Sequence, residues 1–480
     1  MGAGDRAGLE TRLAELKAIS ENPATPGAFD TTVFALGDSD PRIRRAAAWT
    51  LGALRDVRGR ALLEAALHDP DAPVRGTSAE SLGALALPRS REPLEAALQD
   101  PEPRVRSQAC WALWAIHDPA SRSSLVPLLG DPDPAVRWSA VSAIGRFPTE
   151  AAFPALSGAL ADANDRVRRE AILALGRLDD PTIPSLVRPF LSDPARRVRV
   201  AAAVTLGRRR DRDSVPALLE RLQRDESWVL PGVLVALGRI GDPSVADPLV
   251  LAASRPEAWV RVCAIHALGL LAVPEGLPVA RTALTDPAWA VRGAAADCLA
   301  RVGGPDDLNR LLERLEDAHP WPRRGALHAI GQLGLTAAAP RVREELKHPV
   351  PEVRLAAVWA LGCLRDDGAK EALVQMLRSL GPSPVENRTI AQGEGAVQLL
   401  SDAEGRLFDA TVQALSRLSQ GESDPVVLRA VADARARVRD DELDRPVRLP
   451  TFEEAPPAGM TLRQLFDGVL AAADDDELGC

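Results

Sequence analysis

The residues best suited to acid–base or metal chemistry are the six histidines, and their surroundings match no catalytic pattern. The sequence holds no HExxH, GxSxG or phosphate-binding loop motif. His266 and His328 take equivalent places in a repeat two units apart, so about 20 Å should separate them. That is too far for a shared metal ion. We therefore predict surface histidines, no cofactor and no enzymatic activity.

Tryptophan and arginine are the other candidate functional residues, and the function they suggest is binding to a partner. The chain has nine tryptophans and no tyrosine, and almost all of its basic residues are arginine. Trp and Arg are enriched where protein interfaces concentrate their binding energy. Their use depends on the elements that position them.

A repeat organises most of the chain, visible as a step of 31 residues from Val74 to Val105. The anchor of most units is the first residue of a Val-Arg pair, with Ile43 and Pro322 in place of Val in two units and Leu230 in place of Arg in one. The units run without insertion or deletion. Gly follows most anchors at +9, and Asp precedes most of them at −5. The anchors are Ile43, Val74, Val105, Val136, Val167, Val198, Val229, Val260, Val291, Pro322 and Val353.

Each unit reads as two helices. An acidic residue followed by Pro, as in Asp133-Pro134, predicts the start of the first helix near the anchor. Apolar residues at the anchor, +4, +7, +8 and +11 have a helical period. Either the Gly at +9 or the turn residues after +11 should reverse the chain before the second helix. One helix pair cannot bury its own apolar face, so successive units must stack into an all-α solenoid.

The D-x-D/E-P-x-V-R and A-L-G strings resemble the short HEAT-like repeats, also called phycobilin-lyase-type HEAT repeats, over roughly residues 30–365. The resemblance implies a right-handed superhelix of about 12 two-helix repeats. It implies no particular activity, because the same repeat serves many roles. Deoxyhypusine hydroxylases are similar repeat proteins with iron ligands in His-Glu pairs, and no histidine here is followed by Glu.

Every tryptophan falls on the side of the first helices opposite the apolar stripe, in a projection of 100° per residue. Trp114 is among them, at a +9 position where most units have Gly. In proteins resembling this one, these positions line the concave surface. We predict a partner-binding face that comprises Trp49, Trp111, Trp138, Arg166, Arg197, Trp228, Trp259, Trp289, Trp321 and Trp359.

The predicted function is a non-catalytic scaffold or adaptor whose partner is a protein with an acidic or apolar segment. The recurring Asp and Arg should instead form a structural ladder between units, because a specific binding site would vary along the chain. Two alternatives stay open. The same face could bind nucleic acid, since Arg contacts phosphate and Trp stacks on bases. The resemblance also allows a bilin-lyase-like chaperone or enzyme subunit.

Composition narrows the setting. The net charge of −9 argues against a general binder of nucleic acid or anionic membranes. No segment is apolar enough to span a membrane, and the start of the sequence lacks the pattern of a signal peptide. Free thiols are expected at five scattered positions, which favours the reducing cytoplasm. These are Cys110, Cys263, Cys298, Cys363 and Cys480.

The repeat also predicts the organisation of the chain. After Gly362 the register fails, and the Ala-Leu string reappears near Ala410, so a twelfth unit should be split by an insertion. We predict capping helices at 1–37, the repeat solenoid at 38–379, an insertion at 380–403, the last repeat and cap at 404–444, and a linker, amphipathic helix and acidic tail at 445–480.

Overall fold

The computed structural model describes residues 3–145, 150–225 and 229–379, together with Thr411 and Ala414. No strand occurs among these residues. The chain forms two units, Met1–Arg209 and Arg210–Cys480. In each unit, long helices of successive repeats pack side by side, and most of the short helices pack against the long helix that follows. The prediction of an all-α solenoid is confirmed.

The first unit contains thirteen helices in its described residues. They are α1 (Ala3–Glu21), α2 (Ala28–Leu36), α3 (Pro41–Leu54), α4 (Arg60–Ala66), α5 (Ala72–Leu85), α6 (Arg91–Ala97), α7 (Pro103–Ile116), α8 (Arg122–Leu125), α9 (Pro134–Gly145), α10 (Phe153–Gly158), α11 (Asp165–Leu175), α12 (Ile183–Val187) and α13 (Arg196–Arg209). From α3 onward, the odd-numbered helices carry the anchors and are the long first helices of the repeats.

The second unit continues the alternation of short and long helices. In its described part these are α14 (Val215–Arg224), α15 (Leu230–Ile240), α16 (Ala246–Ala252), α17 (Ala258–Leu271), α18 (Gly276–Ala283), α19 (Trp289–Val302), α20 (Leu308–Arg314), α21 (Pro320–Gln332), α22 (Ala339–Glu344), α23 (Pro351–Leu364) and α24 (Lys370–Ser379). Every anchor residue in both units is buried, as the period predicts.

Acidic residues and proline start the long helices as the sequence predicts. The carboxylate of Asp40 accepts a hydrogen bond from the backbone N–H of Arg42 at 2.9 Å. Pro41 occupies the first turn, where its missing N–H would have had no partner within the helix. Side-chain capping of this kind recurs at α5, α11 and α21, whereas the N-cap residues Ala288 of α19 and Val350 of α23 form no such bond, so capping marks the start of some repeats and not of all.

Whereas α11 ends at its +9 glycine, Gly176, most of the long helices end at the turn residues after +11. Several C-cap residues there have left-handed φ values, for example 51° at Arg55 and 50° at Ala86. Gly52 and Gly83, at +9, lie inside α3 and α5. Of the two predicted sites of chain reversal, the turn is found in most repeats and the glycine in the repeat of α11.

The +9 glycines also let neighbouring long helices approach closely. A Cβ added to Gly83 would lie 2.8 Å from the Cα of Ala112 in α7, and one added to Gly238 would lie 2.7 Å from the Cα of Ala267 in α17. The facing position, +7 of the next repeat, carries small residues. Small side chains on both helices make this contact possible.

The Arg/Asp ladder joins successive repeats, as predicted. Nε and Nη2 of Arg106 donate to the two carboxylate oxygens of Asp131 at 2.7 and 2.8 Å, while Nη1 donates to the carbonyl oxygens of Asp100 and Pro101. The same bidentate contact recurs in the pairs Arg44–Asp69, Arg75–Asp100, Arg137–Asp162, Arg168–Asp193, Arg261–Asp286 and Arg292–Asp317. These Arg and Asp side chains are therefore engaged in contacts between successive repeats.

One rung of the ladder is built differently. His348 stands at the −5 position where Asp is usual, and its Nδ1 accepts a hydrogen bond from the backbone N–H of Val350. Arg323 of the preceding repeat turns to Glu345, whose side chain is 3% exposed, at 3.4 Å. A nearby carboxylate thus replaces the missing ladder partner.

Several predicted segments lie outside the described residues. They include the insertion at 380–403, the segment at 445–480 and most of the last repeat at 404–444, in which Thr411 and Ala414 are described and buried. Among the described helices, none is both long and apolar enough to cross a membrane.

Candidate functional site

The long helices of each unit have one side turned away from the buried stripe, which we call the first-helix face. It consists of positions −2, −1, +2, +6, +9 and +10 relative to each anchor, the arc on which every tryptophan was predicted. Contrary to the helical projection, most of its +2 and +9 residues are buried between layers, so its accessible residues stand mainly at the other four positions. The ladder arginines stand at +1 and are engaged between layers. Any binding site on this face must therefore use the other side chains.

Three tryptophans form a cluster on the first-helix face of the first unit: Trp111 and Trp114 in α7, and Trp138 in α9. The ring centroids of Trp111 and Trp114 are 5.5 Å apart at 72°, and those of Trp111 and Trp138 are 5.4 Å apart at 64°. Such edge-to-face contacts are favourable. All three side chains are half-buried. Packing therefore fixes their rings while part of each stays accessible.

The repeat register explains how this tryptophan cluster forms. The +6 side chain of one layer meets the +2 side chain of the next, and a hydrogen bond of 2.8 Å between the hydroxyls of Ser107 and Ser139 links the same two helices. Trp114 takes the +9 position, where glycine usually allows close approach. The sequence marked Trp114 as an exception but did not place it in the predicted site.

Beyond the tryptophan cluster, the same face of the first unit becomes basic. Three of its arginines are exposed: Arg166, Arg177 and Arg208. Half-buried Leu173 and Val204 take the +6 positions of these repeats. Arg197, also predicted, is half-buried and its Nε lies 3.1 Å from a carboxylate oxygen of Asp165. Positive charge and apolar surface therefore alternate along α11 and α13.

In the second unit, the predicted tryptophans lie on separate repeats, and two of them, Trp289 and Trp359, contact histidines. The ring of Trp289 stacks on His319, with centroids 3.9 Å apart and planes 11° apart. Trp359 lies 5.1 Å from the ring of His328. Trp259, Trp289 and Trp359 are all half-buried. Here the face offers single aromatic rings, each supported by a neighbour.

Trp321 departs from the prediction of an accessible face, since its side chain is only 7% exposed. It packs on Gly293 of the preceding long helix, where an added Cβ would lie 2.5 Å from its Cδ1. The guanidinium of Arg324 lies over the ring, 4.1 Å from its centroid. Glycine at +2 of one layer leaves the space that this indole fills. Trp321 therefore packs below the accessible surface of the first-helix face.

A polar cluster next to Trp321 was missed by the sequence reasoning. Asp297, at +6 of α19, has its carboxylate oxygens 3.3 Å from Nη2 of Arg324 and 3.4 Å from Nδ1 of His328. Burial opposes ionisation of Asp297, but Arg324, His328 and His266 together hold its pKa below the usual 3.8. An ionised carboxylate of low pKa is a weak general base near neutral pH. The charged groups of this cluster are therefore better suited to hold one another in place than to transfer a proton.

The predicted surface position of two histidines needs correction. His266 and His328 are half-buried, and Asp297 occupies the equivalent position in the repeat between them. The signal was present in the sequence, because all three residues stand at +6. Among the described residues, no group of three or more His, Cys, Asp or Glu side chains is placed to hold a metal ion.

The repeat pattern and the stacked helices agree with a comparison against protein families. The family described as HEAT repeats matches residues 10–83, 59–132, 90–176, 123–199, 183–261, 246–329 and 308–391. The chain belongs to the HEAT-repeat family. The resemblance noted from the sequence is thereby confirmed.

Several solved structures are similar to this HEAT-repeat chain. YibA of Escherichia coli is 22% identical, with a TM-score of 0.42, over 50% of this chain and 91% of that one. Importin beta is 15% identical, with a TM-score of 0.49, over 89% and 71%. The CpcE–CpcF complex of phycocyanin lyase from Nostoc is 22% identical, with a TM-score of 0.27, over 52% and 91%. No curated protein matches the sequence.

The predicted site residues are thus distributed over both units of this HEAT-repeat protein. Trp111 and Trp138 are brought together, while Arg166, Arg197, Trp259, Trp289 and Trp359 follow along the face of their own units. Trp49 is the most exposed large apolar side chain among them, at 52%. Trp228 lies outside the described residues. The partner-binding role of all these residues stays a prediction.

His319 gives the second unit a testable pH dependence. Its Nδ1 accepts a hydrogen bond from the backbone N–H of Trp321 and so caps α21. Burial, reinforced by Arg292 and opposed by Asp317, lowers the pKa of His319 below 6.5. The folded protein therefore resists protonation, and the stability from this residue is present above pH 6.5 and lost as the pH falls towards the folded pKa.

We expect His319→Asn to remove this part of the pH dependence, because the Asn side chain can cap the helix without titrating. Urea unfolding of the wild type and the variant at a series of pH values between 5 and 8 measures it. The difference in stability between the two proteins should change below pH 6.5 and stay constant above it. A constant difference throughout would show that His319 does not titrate as described.

Proposed function

We propose that this HEAT-repeat protein is a non-catalytic scaffold that binds a protein segment on its first-helix face. The observation that carries the proposal is the contiguity of aromatic and basic surface in the first unit. The tryptophan cluster is followed, in the next repeat, by the exposed Arg166 and Arg177. This combination suits a partner segment with apolar and acidic side chains.

Energetic considerations favour this face over the ladder. The ladder arginines already donate to two carboxylate oxygens and to backbone carbonyls, so a ligand would have to break these bonds. The tryptophan cluster needs no such exchange. Its rings are held by one another and lose little conformational entropy when a partner covers them. We infer that binding energy concentrates there.

The proposed binding surface is the first-helix face, and the proposed partner is a protein segment with apolar and acidic side chains. A scaffold of this kind works without a cofactor, and Asp297 and the histidines serve to order the second unit. We propose the cytoplasm as the compartment, because Cys110, Cys263, Cys298 and Cys363 are free thiols, which suit a reducing environment.

Affinity capture from the native cell followed by titration of the purified partner tests the proposal. We expect Trp138→Ala to weaken partner binding at least about tenfold, as loss of an interface anchor does. Leu251→Ala is the control, because Leu251 is 75% exposed on the short helix α16. Far-UV circular dichroism must show both variants folded. Equal binding by wild type and Trp138→Ala would contradict the proposal.

Salt separates this proposal from nucleic-acid binding. A site that neutralises phosphates loses affinity steeply as the salt concentration rises, because condensed counterions are released on binding. An interface anchored by tryptophan should respond weakly. If the captured partner is a nucleic acid with a steep salt dependence, the proposed function is wrong.

A further inference from the structure

We propose that a groove at the beginning of the first unit binds an acidic peptide that carries a bulky apolar side chain. The groove lies between α1, α3 and α5, and its lining includes Leu13, Lys17, Arg45, Trp49 and Glu80. This inference rests on the proposed function, since the groove belongs to the same first-helix face. It names the chemistry of one partner segment and the place that receives it.

Packed helices form the groove. The hydroxyl of Thr50 in α3 shares its proton between the carbonyl oxygen of Ala46 in its own helix, at 2.9 Å, and that of Leu16 in α1, at 3.2 Å. On the other side, the hydroxyl of Ser81 in α5 donates to the carbonyl oxygen of Ala48 at 2.8 Å. Leu16 and Ala48 are buried. The walls are therefore fixed before any ligand arrives, which reduces the entropy cost of binding.

Trp49 is the apolar anchor of the groove. It stands at +6 of the first repeat, and 52% of its side chain is exposed although it lies in a concave part of the surface. Covering a large aromatic ring in a concavity removes much apolar area from water. An apolar side chain of a partner would gain most by packing against this ring.

The charges around Trp49 favour an acidic partner. Arg45 lies in the groove, is exposed, and has no carboxylate within ion-pair distance among the described residues. Lys17 and Arg42 also line it, and each contacts an acidic residue of its own helix terminus, Glu21 at 3.7 Å and Asp40 at 2.7 Å. Exposed pairs of this kind are weak. Arg45 is therefore the cation best placed to take a carboxylate.

A peptide fits these charges better than a nucleic acid does. The carboxylate of Glu80 lines the same groove, and the chain as a whole carries a net charge of −9. A polyphosphate backbone would meet this repulsion along its length. A peptide can place one or two carboxylates at Arg45 and an apolar residue at Trp49 while it keeps neutral residues near Glu80.

Selection from a phage-displayed random peptide library on the full chain tests this inference. We expect enriched peptides with Asp or Glu next to Leu, Phe or Trp. Their affinity, measured with fluorescein-labelled synthetic copies, should fall about tenfold or more in Arg45→Glu and in Trp49→Ala. Arg89→Glu is the control of equal charge change, because Arg89 is exposed beyond the end of α5, outside the groove lining.

The outcomes separate this inference from the proposed function. Peptides without acidic residues, or affinity unchanged in both groove variants, would overturn the groove assignment. If binding instead requires Trp138, the scaffold function stands and the groove inference fails. A labelled single-stranded oligonucleotide that binds in an Arg45-dependent way would overturn the inference in favour of nucleic acid. Arg45→Glu and Trp49→Ala change exposed side chains, so both variants should fold.

Discussion

Asp131→Asn is expected to lower the free energy of unfolding by about 3 kcal/mol, because it removes the charge that compensates a buried guanidinium. The Arg106 and Asp131 side chains are 11% and 5% exposed, and their two hydrogen bonds join adjacent repeats. Asn keeps the shape and the oxygen that accepts from the backbone N–H of Asp133. Urea unfolding followed by circular dichroism measures the loss.

The same variant should change the acid sensitivity of the protein. Burial raises the pKa of Asp131, but Arg106 and the backbone N–H of Asp133 outweigh it, so the folded pKa lies below 3.8. The stability from this carboxylate is thus present above pH 3.8 and lost as the pH falls through the folded pKa. Asp179→Asn is the control, since the side chain of Asp179 is fully exposed beside Arg209. Equal losses in the two variants would contradict the structural role of the ladder.

Gly83→Ala is expected to destabilise the protein, although alanine favours helices. The added Cβ would lie 2.8 Å from the Cα of Ala112, so the backbone of α7 has to move. Overpacking of this kind costs about 1–3 kcal/mol, and the gain in helix propensity of about 0.5–1 kcal/mol offsets part of it. The midpoint of urea unfolding should fall.

Gly76→Ala, in the same helix, is the matched control with the opposite sign. Its Cβ would meet only Val105 at 3.8 Å, an ordinary contact. We therefore expect a stabilisation of about 0.5–1 kcal/mol from helix propensity alone. If Gly83→Ala also stabilised the protein, the +9 glycines would not be needed for close approach of the layers.

Much of the fold could be predicted because the same local sequence signals recur in successive repeats. Capping residues such as Asp40 and Asp71, the apolar period and the anchor column follow from backbone chemistry within one helix. The pairing of Arg with Asp was also predictable, since two charges that recur in one register must meet at each layer. Repetition turns a weak local signal into a reliable one.

What could not be predicted depends on contacts between layers. A helical projection places Trp321 on the accessible side, but it cannot show that Gly293 of the preceding helix leaves room for the indole. It likewise misses that Asp297 at +6 reaches Arg324 at +2 of the next repeat. The close approach at the +9 glycines was missed for the same reason. One helix considered alone does not reveal its neighbour's small residues.

Some side chains recur at the same position of each repeat, and others differ from repeat to repeat. This difference has a functional consequence. The ladder and the +9 glycines hold the layers at a fixed spacing, so the accessible positions of the first-helix face can carry different residues in different repeats without a change of fold. In the first unit, these variable positions carry the tryptophan cluster and the residues of the groove at Trp49. In the second unit, such positions carry a polar cluster around Asp297.

Hydroxyl-radical footprinting of the chain with and without its captured partner tests the binding face most directly. The predicted result is protection of Trp111, Trp114 and Trp138, with no protection of Val57 and Leu251, which are 63% and 75% exposed beside the short helices. Protection at Val57 and Leu251, with the tryptophan cluster as reactive as in the free chain, would contradict binding through the first-helix face.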